Sequence, residues 1–190
     1  SSGLPAGLRA GAMETSTTPI SGLLLLRPPR LADERGFFSE TYRRAWMEEG
    51  GLPTDWVQEN HSLSRRRGTV RGLHFQVPPR AQAKLVRVVA GRIWDVAVDL
   101  RRRSPTFGRH AAFELSAVDG GQLLVPAGLA HGFCTLEDDT EVLYKVSAYY
   151  SPEHDRGLRW DDPALGIPWP VAAGDAVVSA RDRQHPLLAD

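Results

Sequence analysis

Residues 68–76, GTVRGLHFQ, set Arg71 and His74 three positions apart within an apolar, strand-forming run that contains two glycines. Arginine brings a fixed, permanently charged fork that suits phosphate, and histidine is the side chain best placed to take a proton near neutral pH. Together they read as anion binding beside proton transfer. A surface arginine next to a core histidine would give the same pattern, and this segment alone leaves both readings open.

The other groups able to move protons are His131, Tyr144, Lys84 and scattered carboxylates, a set suited to proton transfer at carbon. Phe38 and Glu40 in DERGFFSE (33–40) would share one face of a strand, able to stack on a flat ring and accept its N–H. A half-buried strand with a solvated glutamate accounts for them equally. Cys134 lies in an apolar run and reads as a structural thiol. The chain has no GxSxG elbow, no P-loop and no GxGxxG turn leading into a helix, so hydrolase-triad, nucleotide-hydrolysis and dinucleotide chemistry lack support.

These groups need strands to hold them. Residues 84–89 (KLVRVV) read as a strand, Ala90 and Gly91 as a tight hairpin turn, and 92–100 as the partner strand. That partner alternates: Trp94, Val96, Val98 and Leu100 lie on one face, with Ile93, Asp95, Ala97 and Asp99 on the other. A face bearing carboxylates suggests water or a polar cavity. Residues 20–26, 56–62, 109–115 and 122–125 read as further strands, and 126–133 as a bend carrying His131. Residues 141–150 alternate again and put Tyr144 and Tyr150 on one face. Residues 41–49 read as a short helix closed by Gly50 and Gly51, and Ser179 as the cap of a single late helical turn. Arg65, Arg66 and Arg67 read as a solvated basic turn.

Many short strands between glycine and proline turns, with little helix, predict an all-β antiparallel jelly-roll (cupin-like) barrel with a few short helices. A tail rich in proline and tryptophan would wrap over it. Barrels of this type often hold iron or manganese through an H-x-H pair, but His74 is followed by Phe75 and Gln76. A metal site drawn from His74, His131 and a distant carboxylate is the weaker alternative, on ligand count.

A chain of 190 residues, 42% hydrophobic and 24% charged, fits one domain with a sizeable core. Its 23 Lys and Arg balance 23 Asp and Glu, so no overall basic field draws it to nucleic acid or anionic lipid, and any phosphate binding must be local. A single cysteine forms no intrachain disulfide, and no apolar run approaches the roughly 20 residues of a membrane span. A cytoplasmic protein is expected. Residues 1–12, small and glycine-rich ahead of Met13, are read as cloning-derived sequence, with one domain over 13–190.

Taken in order, several segments resemble the dTDP-4-dehydrorhamnose 3,5-epimerase family: DERGFFSE (33–40), QENHS (58–62), RGLHFQ (71–76), AKLVRVV (83–89), WDVAVDLRRRSPTFG (94–108), PAGLAHGF (126–133), YKVSAYYSP (144–152), LRWDDPALGIPWP (158–170) and SARD (179–182). The resemblance implies a jelly-roll subunit of a homodimer that needs no metal or other cofactor and acts on a dTDP-4-keto-6-deoxyhexose. His74 would be the general base, supported by Asp182, which fixes its tautomer and stabilises the imidazolium. Lys84 would sit near the sugar C4 oxygen and favour an enolate, and Tyr144, a phenol that is protonated at neutral pH, would donate from the opposite face. Arg35 and Arg71 match arginines that clamp the diphosphate; Phe38, Glu40 and Tyr150 match positions around the thymine; Gln58, Asn60, Ser62 and His131 match other substrate contacts.

On a regular strand Arg71 and His74 would face opposite ways, so a bulge or twist is expected at Gly72. The PPRAQ loop after Val77 is richer in proline than the family pattern, a change at the rim near Lys84 that removes no catalytic group. Three other readings stay open: a single-centre (3- or 5-) epimerase of a related sugar nucleotide, a metal-dependent cupin oxygenase, and a non-catalytic sugar-nucleotide binding protein.

Overall fold

Two sheets face each other across a core to which both contribute. The structure is a computed structural model describing residues 13–190, and the reading of residues 1–12 lies outside them. In chain order the elements are β1 (Glu14–Thr17), β2 (Leu24–Arg27), β3 (Leu31–Asp33), β4 (Gly36–Phe38), α1 (Arg44–Glu49), β5 (Gln58–Ser64), β6 (Thr69–Gln76), β7 (Lys84–Ala90), β8 (Arg92–Asp99), β9 (His110–Ser116), β10 (Gln122–Val125), β11 (Leu129–Thr135), β12 (Thr140–Val146), β13 (Asp155–Gly157), β14 (Val177–Val178) and α2 (Ala180–Arg183). The first sheet runs β1-β2-β10-β7-β12-β5 and the second β13-β6-β11-β8-β9, with β14 added in parallel to β6. This is the antiparallel jelly roll expected from the strand pattern.

Val86 and Val88, Leu123 and Val125, and Val142 of the first sheet pack against Ile93 and Ala97, Leu115, Leu129 and Phe133 of the second. The outer face of the second sheet is covered as well. Leu73, Val96, Val98 and Ala130 meet Leu158, Leu165, Ile167 and Trp169 of the wrapping tail. Across the first sheet, Met47 of α1 joins Leu26, Leu85 and Leu124. The helix ends as its glycines suggest: Gly51, at φ +64°, lets its own N–H reach Glu48 O and the Leu52 N–H reach Met47 O.

Several local readings change. Ala90 and Gly91 do not close a hairpin, because β7 pairs with β10 and β12 while β8 pairs with β11 and β9. The turn instead carries the chain from one sheet to the other, so that the apolar residues of β7 and β8 oppose each other across the core. The carboxylate-bearing face of β8 is therefore the inner face, and neither Asp95 nor Asp99 opens to water. Asp99 is satisfied by Arg101 Nε at 2.9 Å, Ser104 Oγ at 2.5 Å and Thr106 Oγ1 at 2.6 Å. His131 stands in the middle of β11 rather than on a bend, since only residues 127 and 128 turn. Strand β4 stops at Phe38, leaving Glu40 outside it, and β12 stops before Tyr150. The strand read at 20–26 is confined to Leu24–Arg27.

Candidate active site

The bulge needed at Gly72 is present. Between β6 and β11, His74 pairs with His131 and Arg71 with Phe133, so three steps on one strand match two on the other. The extra residue brings Arg71 and His74 to the same cavity wall. Gly72 has φ +129°, and a Cβ there would lie 2.6 Å from Gly132 Cα and 2.8 Å from His131 O. Only glycine fits both the conformation and the space.

His74 Nε2–H donates to Asp182 Oδ1 at 2.6 Å, and the Gly72 N–H donates to the other carboxylate oxygen at 3.1 Å. The aspartate reaches this place through β14, which pairs Val177 with Thr69 and Val178 with Val70 and so delivers α2 beside β6. Ser179 caps α2 by accepting the Asp182 N–H at 3.1 Å, as the sequence predicts. Asp182 is 6% exposed and His74 36%. Burial works to raise the Asp182 pKa, but the hydrogen bond and charge of His74 and the Gly72 N–H outweigh it and hold the carboxyl below its ordinary value. With Nε2 held by an ionised carboxylate, Nδ1 of His74 is the nitrogen left to accept a proton from substrate.

Lys84 opens β7, and its ammonium lies 3.5 Å from His74 O and 5.9 Å from the centre of the Tyr144 ring. Burial pushes its pKa down to about 8 against the opposing pull of Asp155 and Asp95. Tyr144 stands on β12 of the first sheet, and His74 on β6 of the second. Base and phenol therefore come from opposite walls, with the ammonium between the sheets. His131 Nε2 is paired with buried Asp95 at 2.5 Å, which fixes its ring.

One cavity of about 450 Å³ is lined by Ser62, Arg71, His74, Lys84, His131 and Tyr144. A second, of about 390 Å³, shares His74, Lys84 and Tyr144 and adds Gln58, Asn60 and Tyr150. Arg71 is steadied by Nε donating to Ser64 Oγ and Nη2 to Leu63 O, both at 3.0 Å, which leaves Nη1 without a partner among the described residues. Ten of the thirteen sequence-derived site residues thus meet. The exceptions are Arg35, Phe38 and Glu40, which line neither cavity. Arg35 is paired with Asp33 in the β3–β4 hairpin and its side chain is 85% exposed, Phe38 is 55% exposed, and Glu40 faces Arg43 at 3.4 Å.

Sequence reasoning missed Asp155 and Arg181, an ion pair in the wall of the second cavity to which Tyr150 Oη–H donates at 3.3 Å. Arg181 was within reach, being next to Asp182; Asp155 arrives through the pairing of β13 with β6 and has no local signal. The metal set weighed from sequence does not form: His131 is taken by Asp95, and the donors that cluster with His74 are Asp182 and His185.

A family model described as dTDP-4-dehydrorhamnose 3,5-epimerase matches residues 17–190. A protein of that name from Sinorhizobium fredii is 50% identical over 184 residues, covering 97% of this chain and 94% of its own. The crystal structure of dTDP-4-dehydrorhamnose 3,5-epimerase from Bacillus anthracis, with TDP and PPi bound, superposes with a TM-score of 0.90 at 49% identity, covering 93% of this chain and all of that one. That of a dTDP-6-deoxy-D-glucose-3,5-epimerase from Legionella pneumophila, in complex with dTDP-4-keto-L-rhamnose, superposes with a TM-score of 0.87 at 39% identity and covers 93% of each chain.

Proposed function

Because the chain belongs to the dTDP-4-dehydrorhamnose 3,5-epimerase family, we propose that it converts dTDP-4-dehydro-6-deoxy-D-glucose to dTDP-4-dehydro-L-rhamnose by inverting C3 and C5 beside the C4 ketone. The observation that carries the reading is the His74–Asp182 pair facing Tyr144 across a cavity that also holds a buried ammonium. Inversion needs a base on one face of the ring carbon and an acid on the other, and the two sheets supply one each.

In the first half-reaction His74 Nδ1 takes the proton from C3 or C5, and the electron pair of the C–H bond moves toward the C4 oxygen as the enolate forms. Asp182 stabilises the imidazolium that results. Lys84 is set to balance the enolate charge, an interaction present in the transition state and weak in the ground state. Tyr144 then returns a proton from the opposite wall, and a proton rather than an electron changes hands, so the chemistry calls for no redox group. Arg71 offers its free Nη1 to the diphosphate, while Gln58, Asn60, Ser62, His131 and Tyr150 border the same trough.

Arg35, Phe38 and Glu40 belong to this reading only if the β3–β4 hairpin serves a cavity other than its own chain's. The exposed Phe37 and Phe38 support a homodimer in which each hairpin closes the partner's site. A cytoplasmic setting is part of this reading; among the described residues no helix is long and apolar enough to cross a membrane. The test is incubation with dTDP-4-keto-6-deoxyglucose in D2O followed by proton NMR. Loss of signal at both C3 and C5 is expected; loss at one alone would assign a single-centre epimerase, and retention at both would defeat the reading.

A further inference from the structure

Asp182 Oδ1 lies between two histidines. It is 2.6 Å from His74 Nε2 and 3.4 Å from His185 Nε2, and the three donor atoms lie within 4.8 Å of one another. The Nε2 of His185 is shut off from solvent, and the 3.4 Å it keeps from Asp182 Oδ1 falls short of a well-formed hydrogen bond. A buried polar atom left unpaired costs stability, and one aimed at a carboxylate and a second imidazole points to a ligand. The ring is also firmly placed. It stands edge-on to His74 at 5.8 Å, and it packs over Gly157, where a Cβ would come within 2.4 Å of it. The strand facing His74 has left out a side chain where the second imidazole lies.

We propose that His74, Asp182 and His185 form a binding site for a divalent transition-metal ion of the zinc type, sharing the groups of the catalytic pair. Two imidazoles and one carboxylate oxygen are a donor set that Zn²⁺ accepts, with the fourth tetrahedral position left to water. Zinc–ligand bonds of roughly 2.0–2.2 Å put neighbouring donors about 3.3 Å apart, close to the 3.4 Å between Asp182 and His185. His74 must retreat from Asp182 by about 0.7 Å to reach that spacing. As the most exposed of the three, on the cavity wall, it is the freest to do so. The second carboxylate oxygen already accepts the Gly72 N–H, the kind of outer hydrogen bond that orients a ligating carboxylate. An ion would enter from the 450 Å³ cavity, whose wall includes His74 and Asp182.

Occupancy inhibits. A neutral imidazole has one ring proton, and a metal on Nε2 puts that proton on Nδ1, so His74 has no lone pair left for the substrate C–H. The inhibition rests on the epimerase reading, but the binding of the ion does not. Magnesium, which prefers six oxygen ligands, should not compete.

Calorimetric titration of chelator-treated wild-type protein with ZnCl₂ alone is expected to give one ion per chain, and MgCl₂ none. Turnover should fall in step with zinc occupancy and return with EDTA. His185→Gln should weaken zinc binding by more than about tenfold, the loss that even an outer partner of a metal ligand can carry. Absence of stoichiometric binding to the wild type, or equal binding by folded His185→Gln, would overturn the proposal. Should that variant not fold, a zinc-soaked wild-type crystal decides: anomalous density among the three side chains supports the site, and an ion found only elsewhere rejects it. Zinc binding by a preparation without turnover would uphold this site while removing the epimerase reading alone.

Discussion

At Lys84, burial and function pull in opposite directions. The folded chain keeps this group's pKa near 8, down from an ordinary 10.5, so its cationic form is disfavoured by about 3 kcal/mol relative to the unfolded chain. Between about 8 and 10.5 the unfolded chain holds the extra proton, and the contribution of Lys84 to stability therefore rises with pH across that window. Turnover must do the reverse, because the ammonium that balances the enolate is lost as pH rises through about 8. Lys84→Met is expected to stabilise the fold at neutral pH, by an amount that shrinks toward pH 10, and to lower kcat by about 10²-fold or more. Urea unfolding of both proteins at several pH values, beside their rate profiles, checks both halves. His74→Ala should lower turnover by about 10²–10⁴-fold with nucleotide affinity nearly unchanged, measured by titration with dTDP. A near-wild-type rate would remove His74 from the role of base.

Among the elements, those set by short-range interactions are legible in the sequence. The Ser179 cap and the glycine ending of α1 each depend on residues within a few positions of one another, whereas the bulge at Gly72 is made against Gly132 of β11 and was legible only because Arg71 and His74 had to share a face. The assignment of β7 and β8 to different sheets is not local, because β7 takes β10 and β12 as its neighbours and β8 takes β11 beside the next strand, β9, so most of the deciding partners lie 30 residues or more further along the chain. For the same reason the alternation in β8 is visible while its outward or inward sense is not: a tail lying more than 50 residues later covers the face that would otherwise meet water. Gly72→Ala tests how much of the site hangs on the bulge. The added Cβ meets backbone at 2.6 Å in a conformation that alanine resists, at a cost of order 1–3 kcal/mol for strain alone. A lower melting temperature and a loss of turnover larger than stability explains are expected, since Arg71 and His74 would no longer share a wall. Ser179→Ala should be milder, costing about 0.5–2 kcal/mol at the helix that holds Asp182, with folding retained and kcat reduced; an unchanged kcat would show that the pairing of β14 with β6 positions Asp182 unaided.

At the scale of the whole molecule, the family motifs name Arg35, Phe38 and Glu40 as substrate contacts, but the fold puts the first two on an exposed hairpin and Glu40 just after it, and none of the three lines either cavity. The sequence shows the residue types plainly and cannot show whose cavity they serve, because that depends on an arrangement between chains. If each hairpin closes its partner's site, one functional site takes His74 from one chain and Arg35 from the other. His74→Ala and Arg35→Ala homodimers would then each have two defective sites. Refolding the two variants together makes about half the dimers hybrid under a two-fold arrangement. In a hybrid one site has lost both residues, while the other has both in native form, so about a quarter of the wild-type sites return. Were the hairpin to serve its own chain, every site in a hybrid would still lack one residue, and mixing would recover nothing. Rates measured at substrate concentrations well below KM, before and after co-refolding, separate these arrangements.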